Sequence, residues 1–128
     1  MIQVSVVGAK GRMGSHVVDA VNGAEDMQLA LALDAGDDLT RIEPANTDVV
    51  VEFTVPSVSL GNVLALIAQG VDIVVGTTGW TDEKLAQVRK AIADGPRPDT
   101  LMKWSITSPF DFWKTRLPLS SLLNSAAG

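Results

Sequence analysis

Three glycines, Gly8, Gly11 and Gly14, stand where an apolar strand gives way to a helix, and they restrict the start of the chain to few architectures. Residues 2 to 7 are rich in β-branched side chains and predict a strand, whereas residues 12 to 21 place Met13, Val17, Val18 and Val21 on one helical face. Such a junction needs a tight turn at Gly8, main chain close to a ligand at Gly11, and close helix–strand approach at Gly14. The unpaired N–H groups and dipole of the helix start favour an anion, the dipole by roughly 0.3 to 1 kcal/mol in exposed settings. A dinucleotide pyrophosphate suits that arrangement. Glycine also marks ordinary turns, so the spacing G-x-x-G-x-x-G needs support from the rest of the chain.

That support comes in order. A second apolar run, residues 27 to 33, ends at Asp34, twenty residues after Gly14, where a dinucleotide fold places the carboxylate that binds an adenosine ribose. Asp34 equally suits the opening of an Asp34-Ala35-Gly36-Asp37 turn. Residues 48 to 53 predict a third strand ending at Thr54-Val55-Pro56, with Ser57 capping a helix over 58 to 69 that Gly70 stops. Residues 71 to 75 are apolar apart from Asp72, as in a buried parallel strand, and Gly76-Thr77-Thr78-Gly79 closes them. Thr81, followed by Asp82 and Glu83, predicts another helix start, with Leu85, Val88 and Ile92 on the buried face.

This alternation predicts an α/β fold, a Rossmann-like, mostly parallel sheet with helices on both faces, incomplete and followed by an irregular C-terminal tail. Ligands of such sheets bind beyond the carboxyl ends of the strands, here residues 8 to 13, Phe53-Thr54 and Gly76-Thr77-Thr78. The hydroxyls of Thr77 and Thr78 suit a nicotinamide ribose or a substrate carboxylate, or else they fix their own turn.

Composition narrows the classes further. With 128 residues, 46% of them apolar, the chain holds enough for one core. A net charge of −5 without a basic cluster argues against nucleic acid or an anionic membrane as partner. The lack of cysteine rules out disulfides, thiolate nucleophiles and cysteine metal sites, and no metal site is expected. No apolar run approaches the roughly 20 residues needed to span a bilayer, and no signal peptide is expected, which predicts a soluble cytoplasmic protein. His16, the sole histidine, reads as a polar helix residue.

Character changes near Gly95-Pro96-Arg97-Pro98. Residues 1 to 98 are expected to form the dinucleotide-binding domain, and residues 99 to 128 a divergent, poorly ordered tail. That tail holds Trp104, Phe110, Phe112 and Trp113, leaving only Phe53 and Trp80 before it. An alternative makes it a docking segment built on Trp104, Phe110 and Trp113.

Val7-Gly8-Ala9-Lys10-Gly11-Arg12-Met13-Gly14, Leu33-Asp34-Ala35-Gly36-Asp37, Val51-Glu52-Phe53-Thr54-Val55-Pro56, Gly61-Asn62 and Val75-Gly76-Thr77-Thr78-Gly79 together resemble the 4-hydroxy-tetrahydrodipicolinate (dihydrodipicolinate) reductases over residues 1 to about 95. The resemblance implies an oxidoreductase of diaminopimelate and lysine biosynthesis using NADH or NADPH. It implies that Gly8, Ala9, Lys10, Gly11, Arg12 and Met13 hold the pyrophosphate and Asp34 the adenosine ribose. It further implies that Phe53 and Thr54 lie near the nicotinamide, and that Gly76, Thr77 and Thr78 contact cofactor, Thr78 also facing a substrate carboxylate. Ala35 in place of an arginine after Asp34 leans toward NADH, while Lys10 and Arg12 could still meet a 2′-phosphate.

The chain also departs from the family. The Ala-Pro-Asn-Phe-like loop and the His-His-x-x-Lys motif of the substrate domain do not occur, so no catalytic residue is assigned. The expectation is a truncated or frame-changed form that binds nicotinamide dinucleotide with little turnover. It would meet a small dicarboxylate substrate only if a substrate domain were supplied, and it would not form the family homotetramer. The alternative is a non-catalytic nucleotide-binding module with an aromatic docking tail.

Overall fold

In a computed structural model, residues 1–34, 36–77, 79–100 and 102–104 are described. Five strands alternate with three α-helices: β1 (Ile2–Val7), α1 (Arg12–Gly23), β2 (Met27–Leu33), β3 (Val49–Glu52), α2 (Pro56–Gln69), β4 (Asp72–Val75), α3 (Asp82–Asp94) and β5 (Met102–Trp104). A 3-10 turn, Leu39–Arg41, interrupts the connection between β2 and β3. The sheet order is β2-β1-β3-β4-β5 and every pairing is parallel, which makes the expected Rossmann-like α/β fold.

Alternation along the strands decides which helix covers which face. Val4 and Val6 of β1, Val49 and Val51 of β3 and Val74 of β4 pack with Val17 and Val21 of α1. Val7, Val50, Ile73 and Val75 point the other way, onto Val63, Leu66 and Ile67 of α2 and Val88 of α3. Helices therefore cover both faces, and each fully buried valine contributes on the order of 1.5–3 kcal/mol relative to exposure. Ser5, among these apolar positions, pairs its hydroxyl with that of Thr47 at 2.7 Å.

The helix boundaries show which local rules operate. Thr81 caps α3, its hydroxyl accepting from the Lys84 N–H at 3.2 Å, as its sequence predicts. The α2 start differs from expectation. Val55, not Ser57, is the N-cap, and Pro56 takes the first helical position, where its missing N–H costs nothing and its fixed φ suits the helix. Gly70 ends α2 in the left-handed region at φ 80°.

The sheet extends past the boundary expected at residue 98. Met102–Trp104 pairs with β4 in parallel, and Met102 is buried against the α2 and α3 side. The Arg97 carbonyl accepts from the Thr100 N–H at 3.0 Å and its hydroxyl at 2.6 Å, turning the chain back toward the sheet. Arg97 itself donates to the Gly70 carbonyl at 3.0 Å and pairs with Asp72 at 3.3 Å, so the proline-rich segment is fastened to the start of β4. This explains the acidic residue at the head of an otherwise apolar strand. The aromatic docking residues Phe110 and Trp113 lie outside the described residues, as does Phe112.

Candidate functional site

The strand order reverses between β1 and β3, because the chain leaves β1 for β2 on one side and returns to β3 on the other. Open sheets of this kind bind ligands beyond the strand ends at that reversal. The glycine loop follows β1 there, and Phe53-Thr54 follows β3. β4, adjacent to β3, delivers Gly76 and Thr77.

Gly8 and Gly14 are fixed by sterics rather than by ligand. Gly8 has φ 91°, and a Cβ there would lie 2.7 Å from the Phe53 carbonyl carbon and closer still to its oxygen. A Cβ on Gly14 would lie 2.6 Å from the Gly8 carbonyl carbon, so α1 sits directly on the loop. Gly11 differs: a Cβ there would meet only the Gly8 oxygen, at 3.3 Å. It is exposed, it is the N-cap of α1, and it supplies no capping side chain. An α-helix leaves its first N–H groups without intrahelical partners, which gives α1 an open, anion-favouring end.

The loop's N–H groups are not equivalent. Those of Gly8 and Ala9 both donate to the Leu33 carbonyl, at 2.8 and 3.0 Å, and that of Gly11 donates to the Gly8 carbonyl at 3.1 Å. These three bonds shape the loop. Arg12 and Met13 begin the uncapped helix, and the side chains of Lys10 and Arg12 are exposed.

Asp34 follows β2, beside the loop. Of its two sequence readings the turn is the one that forms here, and it does so without using the Asp34 carboxylate: the Asp37 carboxylate accepts from the Asp34 N–H at 2.8 Å, and the Asp37 N–H donates to the Asp34 carbonyl at 3.0 Å. The Asp34 side chain is half-buried.

At the ends of β3 and β4 the structure adds a residue that sequence reasoning did not single out. Glu52 is fully buried, and among the described residues four neutral side chains donate to its carboxylate. Thr54 donates to one oxygen, which also receives Asn62 Nδ2 at 3.2 Å. The other oxygen receives Ser59 Oγ at 2.8 Å and Thr77 Oγ1 at 2.7 Å. Removing a charge-sized group from water costs several kcal/mol, and hydrogen bonds to a charged group return about 1.5–3 kcal/mol each. The cluster was hidden because Glu52 sits at the end of a valine run and its partners lie at mixed distances along the chain; only Thr54 is a near neighbour.

Thr77 is buried and faces inward. Its hydroxyl donates to Glu52 and accepts from the Thr54 N–H at 2.9 Å, so it ties two strand ends together rather than bonding within its own turn. The sequence left this hydroxyl to a ligand or to its own turn; among the described residues its hydrogen bonds run to Glu52 and Thr54. Thr78 lies outside the described residues. The Phe53 ring covers Gly76, whose added Cβ would fall within that ring. His16 is exposed on α1. Among the described residues no group of three or more His, Cys, Asp or Glu could hold a metal, and no helix is long and apolar enough to cross a membrane.

A parallel sheet covered on both faces, with a glycine loop and an acid-ended strand at its reversal point, defines a Rossmann-like domain. The family model for the dihydrodipicolinate reductase N-terminus matches residues 2–98. The chain belongs to that family. It is 82% identical over 100 residues to the 4-hydroxy-tetrahydrodipicolinate reductase of Bifidobacterium longum (strain NCC 2705), covering 78% of this chain and 40% of that protein. It is 45% identical over 101 residues to the enzyme of the same name from Mycobacterium sp. (strain KMS), covering 79% and 41%. The chain thus spans about two-fifths of the length of these curated relatives. Among solved structures, the fold is shared with dipicolinate-bound dihydrodipicolinate reductase from Paenisporosarcina sp. TG-14, at TM-score 0.59 and 23% identity over 71% of this chain and 43% of that one. It is also shared with NADP-bound pyrroline carboxylate reductase from Plasmodium falciparum, at TM-score 0.55 and 15% identity over 80% and 41%.

Proposed function

We propose that this domain binds a nicotinamide dinucleotide, NADH or NADPH, as the cofactor half of a 4-hydroxy-tetrahydrodipicolinate reductase. The observation that carries the reading is the uncapped start of α1 at Gly11, placed by the glycine loop at the reversal point of the sheet. Loop and helix fit a pyrophosphate: Gly8, Ala9 and Gly11 use their N–H groups to build the cradle, while Arg12 and Met13 offer helix-start N–H groups and Lys10 and Arg12 offer positive charge. Asp34 takes the adenosine ribose. At the other end Phe53, Thr54 and Gly76 border the nicotinamide, with Thr77 holding their strand ends together and Thr78 assigned to cofactor and to a substrate carboxylate by family resemblance.

When bound, the nicotinamide supplies the hydride. Protonation and substrate capture are assigned to the remainder by which the relatives are longer, so this chain alone is expected to bind nucleotide with little turnover. A carboxylate at Asp34 accepts from ribose hydroxyls and opposes a 2′-phosphate, which favours NADH. Isothermal titration with NADH and NADPH tests the reading. Binding of NADH should weaken by about tenfold or more in Asp34→Ala, the size of one lost charge-assisted bond. A folded sample that binds neither cofactor overturns the assignment.

A further inference from the structure

Glu52 is a buried acid that the reading above leaves without a task. The preceding strand residues, Val49, Val50 and Val51, are all buried and apolar, so Glu52 breaks the pattern of its own strand. The sequence instead keeps a carboxylate and surrounds it with matched donors. Those donors belong to separate pieces of the molecule: Thr54 beyond β3, Ser59 and Asn62 on α2, and Thr77 beyond β4. Thr77 is held twice, since the Thr54 N–H reaches its hydroxyl while that hydroxyl reaches Glu52.

We propose that Glu52 is the positioning residue for the nicotinamide half of the cofactor, fixing residues 53–54 and 76–77 as one surface while leaving the adenosine half untouched. This rests on the nucleotide reading above. The adenosine side is held by different hydrogen bonds, the Leu33 carbonyl with the loop and Asp37 with Asp34, none of which involves Glu52 or its partners; the two halves meet only by packing, where Gly8 lies against the Phe53 carbonyl and Thr54. Residues that touch a ligand act only when their own geometry is held by supporting hydrogen bonds, and here one carboxylate provides that support for two strand ends.

In Glu52→Gln, volume is kept but one acceptor oxygen becomes an N–H donor. The amide faces either Asn62 Nδ2, another donor, with the Thr54 hydroxyl, or the hydroxyls of Ser59 and Thr77; the hydroxyls it faces must turn their protons away. The test is titration of the full chain with NADH and, separately, with ADP-ribose, which lacks the nicotinamide. Glu52→Gln should weaken NADH about tenfold, the loss of one hydrogen bond's worth of positioning, and should change ADP-ribose less than about twofold. Thr77→Val, which removes the bridging hydroxyl alone, should give the same split and decides the matter if Glu52→Gln does not fold. Equal weakening of both ligands, or of neither, overturns the positioning role while leaving the nucleotide reading intact. Wild-type protein that binds neither ligand removes both.

Discussion

The same substitution should have opposite signs at two helical glycines. Gly61 lies inside α2, and a Cβ there would meet nothing within 4 Å. Gly61→Ala should therefore stabilise by about 0.5–1 kcal/mol, the ordinary gain from replacing glycine within a helix. Gly14 is also inside a helix, but its Cβ would lie 2.6 Å from the Gly8 carbonyl carbon and 3.1 Å from Ala9 Cα. These are main-chain atoms, and the two bonds from Gly8 and Ala9 to Leu33 hold them in place. Relief would require shifting α1, at roughly 1–3 kcal/mol for overpacking, or breaking those bonds, at about 0.5–1.5 kcal/mol each. After subtracting the helix gain, Gly14→Ala should lose up to about 2.5 kcal/mol, which puts it about 1–3 kcal/mol below Gly61→Ala. Urea unfolding followed by circular dichroism reads both variants. With a slope of about 1–3 kcal/mol/M, the midpoints should separate by roughly 1 M, at an unchanged slope. A Gly14→Ala protein as stable as Gly61→Ala would refute the argument that contact with the loop makes glycine obligatory.

Three further outcomes are expected. Arg97→Ala removes the pair with Asp72 and the bond to Gly70; because Arg97 is about a third exposed, the cost should be only about 1–2 kcal/mol in the same unfolding assay. Gly76→Ala should push the Phe53 ring aside and weaken NADH in titration, and adding Phe53→Leu should restore part of the loss. The hydrogen bonds of the Thr40 hydroxyl and N–H hold the Asp38 carboxyl below its usual value of 3.8. Its contribution is complete above that unfolded value and is lost as pH falls through the lower folded one, so Asp38→Asn should flatten the acid limb of stability against pH.

Most of the fold could be read from local chemistry. Strand runs of valine, the acids after Thr81 and the stop at Gly70 each carry their meaning within a few residues, and the corresponding elements form. β5 was not legible, since three residues are too few to show a period, and what fixes them is a turn on Arg97 and pairing with β4. The site divided in the same way. The glycine loop and Asp34 are neighbours of strand ends and could be placed by counting. The Glu52 cluster could not, because Ser59, Asn62 and Thr77 converge only after α2 and β4 have packed, and the inward direction of the Thr77 hydroxyl is set by that carboxylate.

The pair of hydrogen bonds from the Gly8 and Ala9 N–H groups to the Leu33 carbonyl has a dynamic consequence. Leu33 ends β2, which among the described residues is an edge strand paired with β1 alone on the sheet. The loop's amides are therefore protected from solvent exchange only as well as that edge is, and fraying at Leu33 releases the turn in the same event. Any ligand that needs the closed loop must hold β2 down as it binds. Slower amide exchange along the edge strand then becomes a measure of occupancy on the loop.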